Sequence, residues 1–458
     1  MKRPNVLLLY TDQQRWDTIG SAGLSACQTP NLDRLAARGA LMQNAFCNSP
    51  VCMPSRHSML SGLYPSTVGT TCNGIEMPEN TQTLTHILGR YGYHTANIGK
   101  LHFRNHAHRD HRELHPSYGF DELVLSDEPG CYDDAYIKWV EAQDPSQVAN
   151  CRCATPPAWT GPPVAAPPRN THEPYLFAGP EEMTHSAFVA SESADYIRRH
   201  TDEPFFLISG FYAPHAPVNP PQRFVEMYDP ASLPAPHMNV SENSYGLSMD
   251  EWRVIKAYYY ALVTHIDDQV GHILDALDET GQVQNTLVIF TSDHGEHLGD
   301  HGRVQKGPPG FDSCAHVPMI LTLPGKVQAG LRPDQLIESV DLAPTILDFC
   351  VIQTPPAMQG KSMSPLLTGQ PYEERTSVFI EYRQPFGPSW KTVRTHLFKY
   401  AISNQGEELL FDLAHDPHEL VNCVEQAAYA EAKHEMAHLL NHRWFDVESQ
   451  DLLRTGQY

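Results

Sequence analysis

The stretch Asn5-Val6-Leu7-Leu8-Leu9-Tyr10-Thr11-Asp12-Gln13-Gln14 opens as a short apolar run and breaks into four polar residues. A run this short, with no polar alternation, predicts a strand buried on both faces, as in a parallel sheet between helix layers. Similar runs recur at residues 205–211, 287–291 and 319–323. Between them lie helical patterns at 31–38 after Pro30, at 83–91, at 185–199 and at 249–279, the last ending near Gly281. Strands alternating with helices predict an α/β fold with a large, mostly parallel mixed sheet sandwiched by helices.

In such sheets ligands bind outside the carboxyl ends of the strands. Asp12 follows the first run, His215 follows 205–211, and Asp293-His294 follows 287–291. Three distant segments are therefore expected to deliver ionisable side chains to one edge.

The chain is 458 residues long, room for roughly 2 to 3 domains on the usual size range. Residues 1–360 read as the larger α/β unit. Within it, 105–180 is rich in His and Pro, with Pro156-Pro157, Pro162-Pro163 and Pro167-Pro168, and reads as a loop-rich insertion that shapes a pocket. Residues 361–458 read as a smaller unit, with strands at 377–382, 391–402 and 408–413 forming an antiparallel sheet covered by a helix near 425–440.

Lys and Arg number 32 against 54 Asp and Glu, a net charge of −22. Such a surface repels nucleic acid and acidic membranes, so neither is an expected partner, and an anionic substrate needs a locally basic pocket. No apolar run near the start approaches the length of a signal peptide or a membrane span, and the sequence as given reads as cytoplasmic. The ten cysteines show no CxxC pair or framework spacing and read mainly as buried thiols.

Cys52-Met53-Pro54-Ser55-Arg56 places a cysteine just before a proline suited to a first helical turn. A helix N-terminus favours an anion or a thiolate, and Arg56 lies about one turn further on. Alone, this pattern fits either a reactive cysteine or a buried structural thiol.

Continued to Leu60-Ser61-Gly62, the segment resembles the CxPSR motif of the type I sulfatases of the alkaline phosphatase superfamily. The resemblance runs over nearly the whole chain. It includes Pro4-Asn5-Val6-Leu7-Leu8 with Asp12, Thr29-Pro30-Asn31-Leu32-Asp33-Arg34-Leu35, Gly99-Lys100-Leu101-His102 and Pro214-His215-Ala216-Pro217. It continues through Ser292-Asp293-His294-Gly295-Glu296, Gly299-Asp300-His301-Gly302, Lys306-Gly307, Phe411-Asp412-Leu413 and Asp416-Pro417.

The resemblance implies an alkaline phosphatase-like fold and a sulfuric ester hydrolase acting on a carbohydrate, aryl or alkyl sulfate. It implies that a maturation enzyme converts Cys52 to Cα-formylglycine, whose hydrate is the nucleophile. Arg56 resembles the residue that holds the hydrated aldehyde, and Lys100 and Lys306 resemble sulfate-binding cations. His102 is similar to the base that triggers sulfate elimination, and His215 to the donor to the leaving group. One divalent metal is implied at Asp12, Gln13, Asp293 and His294, completed by the residue 52 oxygen. Calcium is the family ion. Gln13 and His294 depart from the common aspartate and asparagine, and a nitrogen donor with fewer carboxylates suits manganese or a similar ion.

Gln13 and His294 also resemble phosphonate monoester hydrolases and phosphodiesterases of the same superfamily, which generally lack the Lys100 and His102 pair. A non-catalytic sulfated-sugar binding protein is the alternative from another class, and it has no need of the nucleophile. The histidines 102, 106, 108, 111 and 115 match no fixed ligand spacing and read as a polar loop. Cys151-Arg152-Cys153 reads as loop cysteines, and Trp159 and Trp390 could stack on a sugar or an aromatic ring. A homo-oligomer is compatible with the sequence.

Overall fold

The computed structural model describes residues 3–23, 26–105, 113–130, 134–152, 173–384 and 387–448. The strands are β1 Asn5–Asp12, β2 Ala40–Leu41, β3 Asn44–Phe46, β4 His94–Gly99, β5 Glu122–Leu125, β6 Phe205–Pro214 and β7 Thr286–Ser292. They continue as β8 Met319–Thr322, β9 Leu336–Glu338, β10 Val378–Tyr382, β11 Trp390–Arg394, β12 Phe398–Ser403 and β13 Glu408–Asp412. Seven of them make one sheet in the order β2-β8-β7-β1-β6-β4-β5.

All eight residues of β1 are buried, because it lies mid-sheet between β6 and β7, parallel to both. Val6 and Leu8 face a core shared with Phe206, Ile208, Leu287, Ile289 and Leu60. Leu7 and Leu9 face the other layer, with Leu207, Val288 and Phe290 and the helices Pro30–Arg38, His185–Arg199 and Met249–Glu279. A strand covered on both sides has no polar face, which is why its sequence runs apolar without alternation.

The sheet is mixed: β8 runs antiparallel to β7, and β2 antiparallel to β8. Three of its strands, β2, β4 and β5, escape the apolar-run criterion. In β4, Thr95 and Asn97 are fully buried, and their side chains bond locally, Thr95 Oγ1 to Gly119 O and Asn97 Nδ2 to Gly99 O. β5 lies inside the segment read as irregular, as do the helices Ala135–Gln143 and Val148–Cys151, so the described part of 105–180 is more ordered than expected. His106, His108, His111, Cys153, Trp159 and the three proline pairs lie outside the described residues. The eight described cysteines are buried.

β10 to β13 form a four-stranded antiparallel meander. The predicted strand at 391–402 is two strands, β11 and β12, turned by Thr395, whose N–H donates to Phe398 O at 2.8 Å. The covering helix spans Ala430–Glu448, later than expected, and packs Met436 and Leu440 on Phe379, Val393, Tyr400 and Leu410. Among the described residues no helix is long and apolar enough to cross a membrane.

Candidate active site

The carboxyl ends of β1, β4, β6 and β7 open on one edge of the sheet, and the helix Cys52–Ser61 points its first residue at the same edge. Every residue of that helix is buried. Its opening N–H groups find fixed partners: Ser55 N donates to Val51 O at 3.1 Å, and Met53 N to Asn73 Oδ1 at 3.0 Å.

Cys52 Sγ lies 3.7 Å from Asp12 Oδ1, 3.3 Å from His294 Nε2 and 2.9 Å from Lys306 Nζ. Donor atoms of Asp12, Cys52, Asp293 and His294 all fall within 4.8 Å of one another, and all four residues are buried. His294 Nδ1 is 2.8 Å from Gly295 O, a contact that requires Nδ1–H and turns Nε2 toward the two carboxylates. Asp293 Oδ1 accepts the N–H groups of Gln13 and His294 at 3.0 and 2.8 Å, so its orientation is set by the backbone. Two carboxylates, one imidazole lone pair and the residue 52 side chain make a donor set that fits a divalent cation.

Gln13 sits at φ +68°, and its carbonyl accepts from Tyr259 Oη at 2.6 Å. Its side-chain Nε2 donates to Glu296, which turns Oε1 inward, where it accepts from Lys306 Nζ at 3.0 Å. Glu296 is a partner that its motif position alone does not disclose.

Two buried cations face the two carboxylates. Arg56 Nε donates to Asp293 Oδ2 at 2.8 Å, one amino group lies 3.3 Å from Asp12 Oδ2, and the guanidinium stacks on Tyr10 at 4.7 Å. Lys100 Nζ is 2.7 Å from Asp12 Oδ2 and 4.7 Å from the centre of the Tyr212 ring. Burial alone would raise the Asp12 carboxyl, but Lys100, His215, Lys306 and Arg56 outweigh it and hold it well below the usual range. Burial and Asp12 push the Cys52 thiol up, yet Lys306 and His294 bring it below its ordinary value. Residue 52 thus sits where negative charge is stabilised despite the acidic molecule around it.

Lys100 reaches this position because β4 and β6 converge without side chains. A Cβ on Gly99 would meet Gly210 O at 2.2 Å, and one on Gly210 would meet Lys100 O at 2.1 Å. Beyond Lys100 the chain turns with His102 at φ +57°, and the N–H groups of Leu101 and His102 both donate to Asp127 Oδ1 at 2.7 Å. Asp127 follows β5, the strand the apolar-run criterion missed, so sequence reasoning had no ground for singling it out.

His215 follows β6, with Nδ1 2.7 Å from Ala216 O and 3.0 Å from Tyr212 Oη. Burial, and then the Lys306 charge, hold its pKa well below the usual imidazole range, so the ring is neutral with its proton on Nδ1. The structure thus gathers Asp12, Gln13, Cys52, Arg56, Lys100, Asp293, His294 and Lys306 around one point through direct contacts. His215 stands beside them next to Tyr212, and His102 is placed through its backbone on Asp127.

The sulfatase family model matches residues 4–350, and that for the C-terminal region of N-sulphoglucosamine sulphohydrolase matches residues 299–445. An arylsulfatase of Clostridium perfringens is 32% identical, covering 94% of this chain and 92% of its own. The multifunctional alkaline phosphatase superfamily protein PehA of Trinickia caryophylli is 30% identical, covering 94% and 93%. In three dimensions the chain resembles the phosphonate monoester hydrolase of Agrobacterium radiobacter, with a TM-score of 0.85 and 26% identity over 97% of this chain and 96% of that one. With an alkaline phosphatase-like sheet, a cation-lined edge and a family match over most of its length, the chain belongs to the sulfatase family and is a sulfuric ester hydrolase.

Proposed function

We propose that the protein hydrolyses sulfate monoesters, of a carbohydrate or of an aryl or alkyl alcohol, with Cys52 converted to Cα-formylglycine by a maturation enzyme. The observation that carries this reading is the position of Cys52 Sγ, in contact with a lysine ammonium, an imidazole nitrogen and an aspartate at the start of a buried helix. The hydrated aldehyde supplies two hydroxyls on one carbon, so that one can attack sulfur and loss of the proton from the other can release sulfate.

Asp12, Gln13, Asp293 and His294 would hold one divalent cation. That cation supplies charge against the sulfate oxygens and acidifies the nucleophile. Calcium comes first on family resemblance, and two carboxylates, a neutral amide and a nitrogen donor also accommodate manganese or a similar ion. Lys100 and Lys306 neutralise the non-bridging oxygens, Arg56 orients residue 52, and His102 takes the proton whose loss releases sulfate. His215, neutral and protonated on Nδ1, acts as donor to the leaving oxygen once the anionic substrate has raised its affinity for a second proton. Residues 1–360 are the catalytic part of this reading, and 361–458 a smaller subdomain.

Phosphonate monoester hydrolysis is the second reading, favoured by Gln13, His294 and the structural likeness to the Agrobacterium enzyme. The sulfate reading takes precedence because Lys100 is fully buried against Asp12 with His102 anchored two residues on. Paired kcat/KM values on an aryl sulfate and an aryl phosphonate monoester, measured on protein whose residue 52 peptide carries the aldehyde by mass spectrometry, decide between them. Sulfate preference is expected. A preference for the phosphonate reverses the choice, and full activity with an unmodified Cys52 thiol overturns the nucleophile.

A further inference from the structure

The edge of the sheet opposite the catalytic centre carries a second constellation of ligand-type side chains. His94 is the first residue of β4, Glu122 the first of β5, and His200 ends the helix His185–Arg199 that packs beside them. One donor atom from each lies within 4.8 Å of the others, and all three residues are half-buried. They are the starts of strands whose far ends serve the active site, so this cluster is separate from it.

The proton positions are fixed in a way that suits ligation. His94 Nδ1 lies 2.8 Å from Tyr196 Oη, and that hydroxyl donates to His94 O at 3.3 Å. With the hydroxyl donating to the carbonyl, it accepts from Nδ1–H, the tautomer that offers the His94 Nε2 lone pair to a ligand. His200 Nδ1 lies 3.2 Å from Glu203 Oε1, a contact that also requires Nδ1–H. His200 Nε2 is buried and has no hydrogen-bond partner among the described residues. A buried imidazole nitrogen without a partner is a polar atom whose solvation has been given up for nothing in this state. An imidazole that donates through one nitrogen to a carboxylate or hydroxyl and offers the other is the arrangement in which histidine binds zinc.

The surroundings favour a cation. Around the pair stand Glu122, Glu203 and Asp121, all acting on the Tyr196 hydroxyl, with Glu192 also beside Glu122; the opposing cation is Arg199, 3.2 Å from Glu122 Oε1. The His94 and His200 rings stack at 4.3 Å, and Tyr196 stacks on His200 at 4.2 Å. Ligation therefore turns one imidazole out of the stack and draws the donors to the roughly 3–3.5 Å separations of a tetrahedral site. The stack is the arrangement of the metal-free cluster.

We propose that His94, Glu122 and His200 form a second metal site, for zinc or another borderline divalent transition ion, which ties the starts of β4 and β5 to the end of the helix His185–Arg199. Two imidazoles and one carboxylate suit such ions and not calcium.

The test loads the full-length protein with zinc, removes excess by gel filtration and counts bound zinc per chain by mass spectrometry of the metal. Wild type is compared with His94→Ala, His200→Ala and Glu122→Gln, and with His272→Ala as an exposed control. The first two variants are expected to hold one zinc fewer than wild type and the control, with Glu122→Gln losing it at lower zinc, and aryl sulfate turnover within about twofold of wild type. Because none of these residues touches the catalytic centre, its own metal remains in every variant and failure of the sulfatase reading leaves this count unaffected. A second readout is the zinc-induced rise in Tm, expected in wild type and absent in His200→Ala. Equal zinc in wild type and His200→Ala, or an equal rise in Tm, overturns the proposal.

Discussion

Gln13 illustrates how little separates a ligand from a bystander in this site. An amide can turn either end inward, and only its Nε2 contact with Glu296 commits Oε1 to the side of Lys306 and the carboxylates. Glu296 is itself pushed above the ordinary carboxyl range by burial. Glu296→Ala is expected to weaken metal binding about 10–100-fold, the range found when groups behind metal ligands are removed. Metal titration monitored by Tm checks this without relying on turnover, and an unchanged affinity refutes the orienting role. At His215 the geometry makes a different demand. With its Nδ1 proton committed to Ala216 O, it aids departure only as an imidazolium, so His215→Ala should slow alkyl sulfates by about 10²–10⁴-fold, the usual worth of general acid catalysis. Activated aryl sulfates, which need less protonation, should lose much less; equal losses across a leaving-group series remove the acid role.

At the scale of elements, the small C-terminal sheet is part of the site's foundation. Lys399, on β12, is fully buried and donates to Gly310 O at 3.0 Å, to Asp312 Oδ1 at 2.5 Å and to Glu419. Thr392 Oγ1, on β11, donates to Pro309 O. These bonds hold the segment that follows Lys306. Lys399→Met leaves the buried Glu419 without its cation, while Asp312 keeps Arg394 at 3.2 Å, and is expected to cost about 3–5 kcal/mol. Glu419, whose pKa burial raises to about 7, can meet part of that loss by binding a proton, so the double variant with Glu419→Gln should recover stability. Urea unfolding midpoints check both, and a loss under about 1 kcal/mol for the single variant contradicts the bracing role. The same scale shows what the sequence could and could not disclose. β1, β6 and β7 were legible because burial on both faces leaves an apolar run, and their polar ends marked Asp12, His215, Asp293 and His294. β4 was not, because the buried Thr95 and Asn97, which donate to backbone carbonyls, break the apolar run. Without β4 and β5, the anchor Asp127 had no strand end to stand on. The helix Cys52–Ser61 was found through its motif, since burial on every side leaves no amphipathic stripe to read.

Across the whole molecule, burial of titratable groups sets the pH range in which the fold survives. His57, His185, His265 and His316 are driven by burial from 6.5 to about 3, and His301 to about 4. A depressed imidazole contributes stability that is complete above 6.5 and is lost as pH falls, because the unfolded chain takes the proton first. Three carboxyls raised by burial act in the opposite sense. Asp134 and Glu419 are raised to about 7 and Asp267 to about 6, so each contributes stability at low pH that is lost as pH rises through those values. Near pH 5.5 the five histidines give the unfolded chain roughly 4–5 extra protons, and the three carboxyls give the folded chain between 2 and 3. The histidines win by about 2 protons, which corresponds to roughly 3 kcal/mol per pH unit. Near pH 7 the two contributions nearly cancel. Stability is therefore expected to be greatest close to neutrality and to fall steeply below pH 6, on the order of a quarter to a half of a typical folding free energy of about 5–15 kcal/mol within one unit. Urea midpoints at pH 7 and pH 5.5 measure this directly, and a midpoint as high at pH 5.5 as at pH 7 shows that the carboxyls outweigh the histidines.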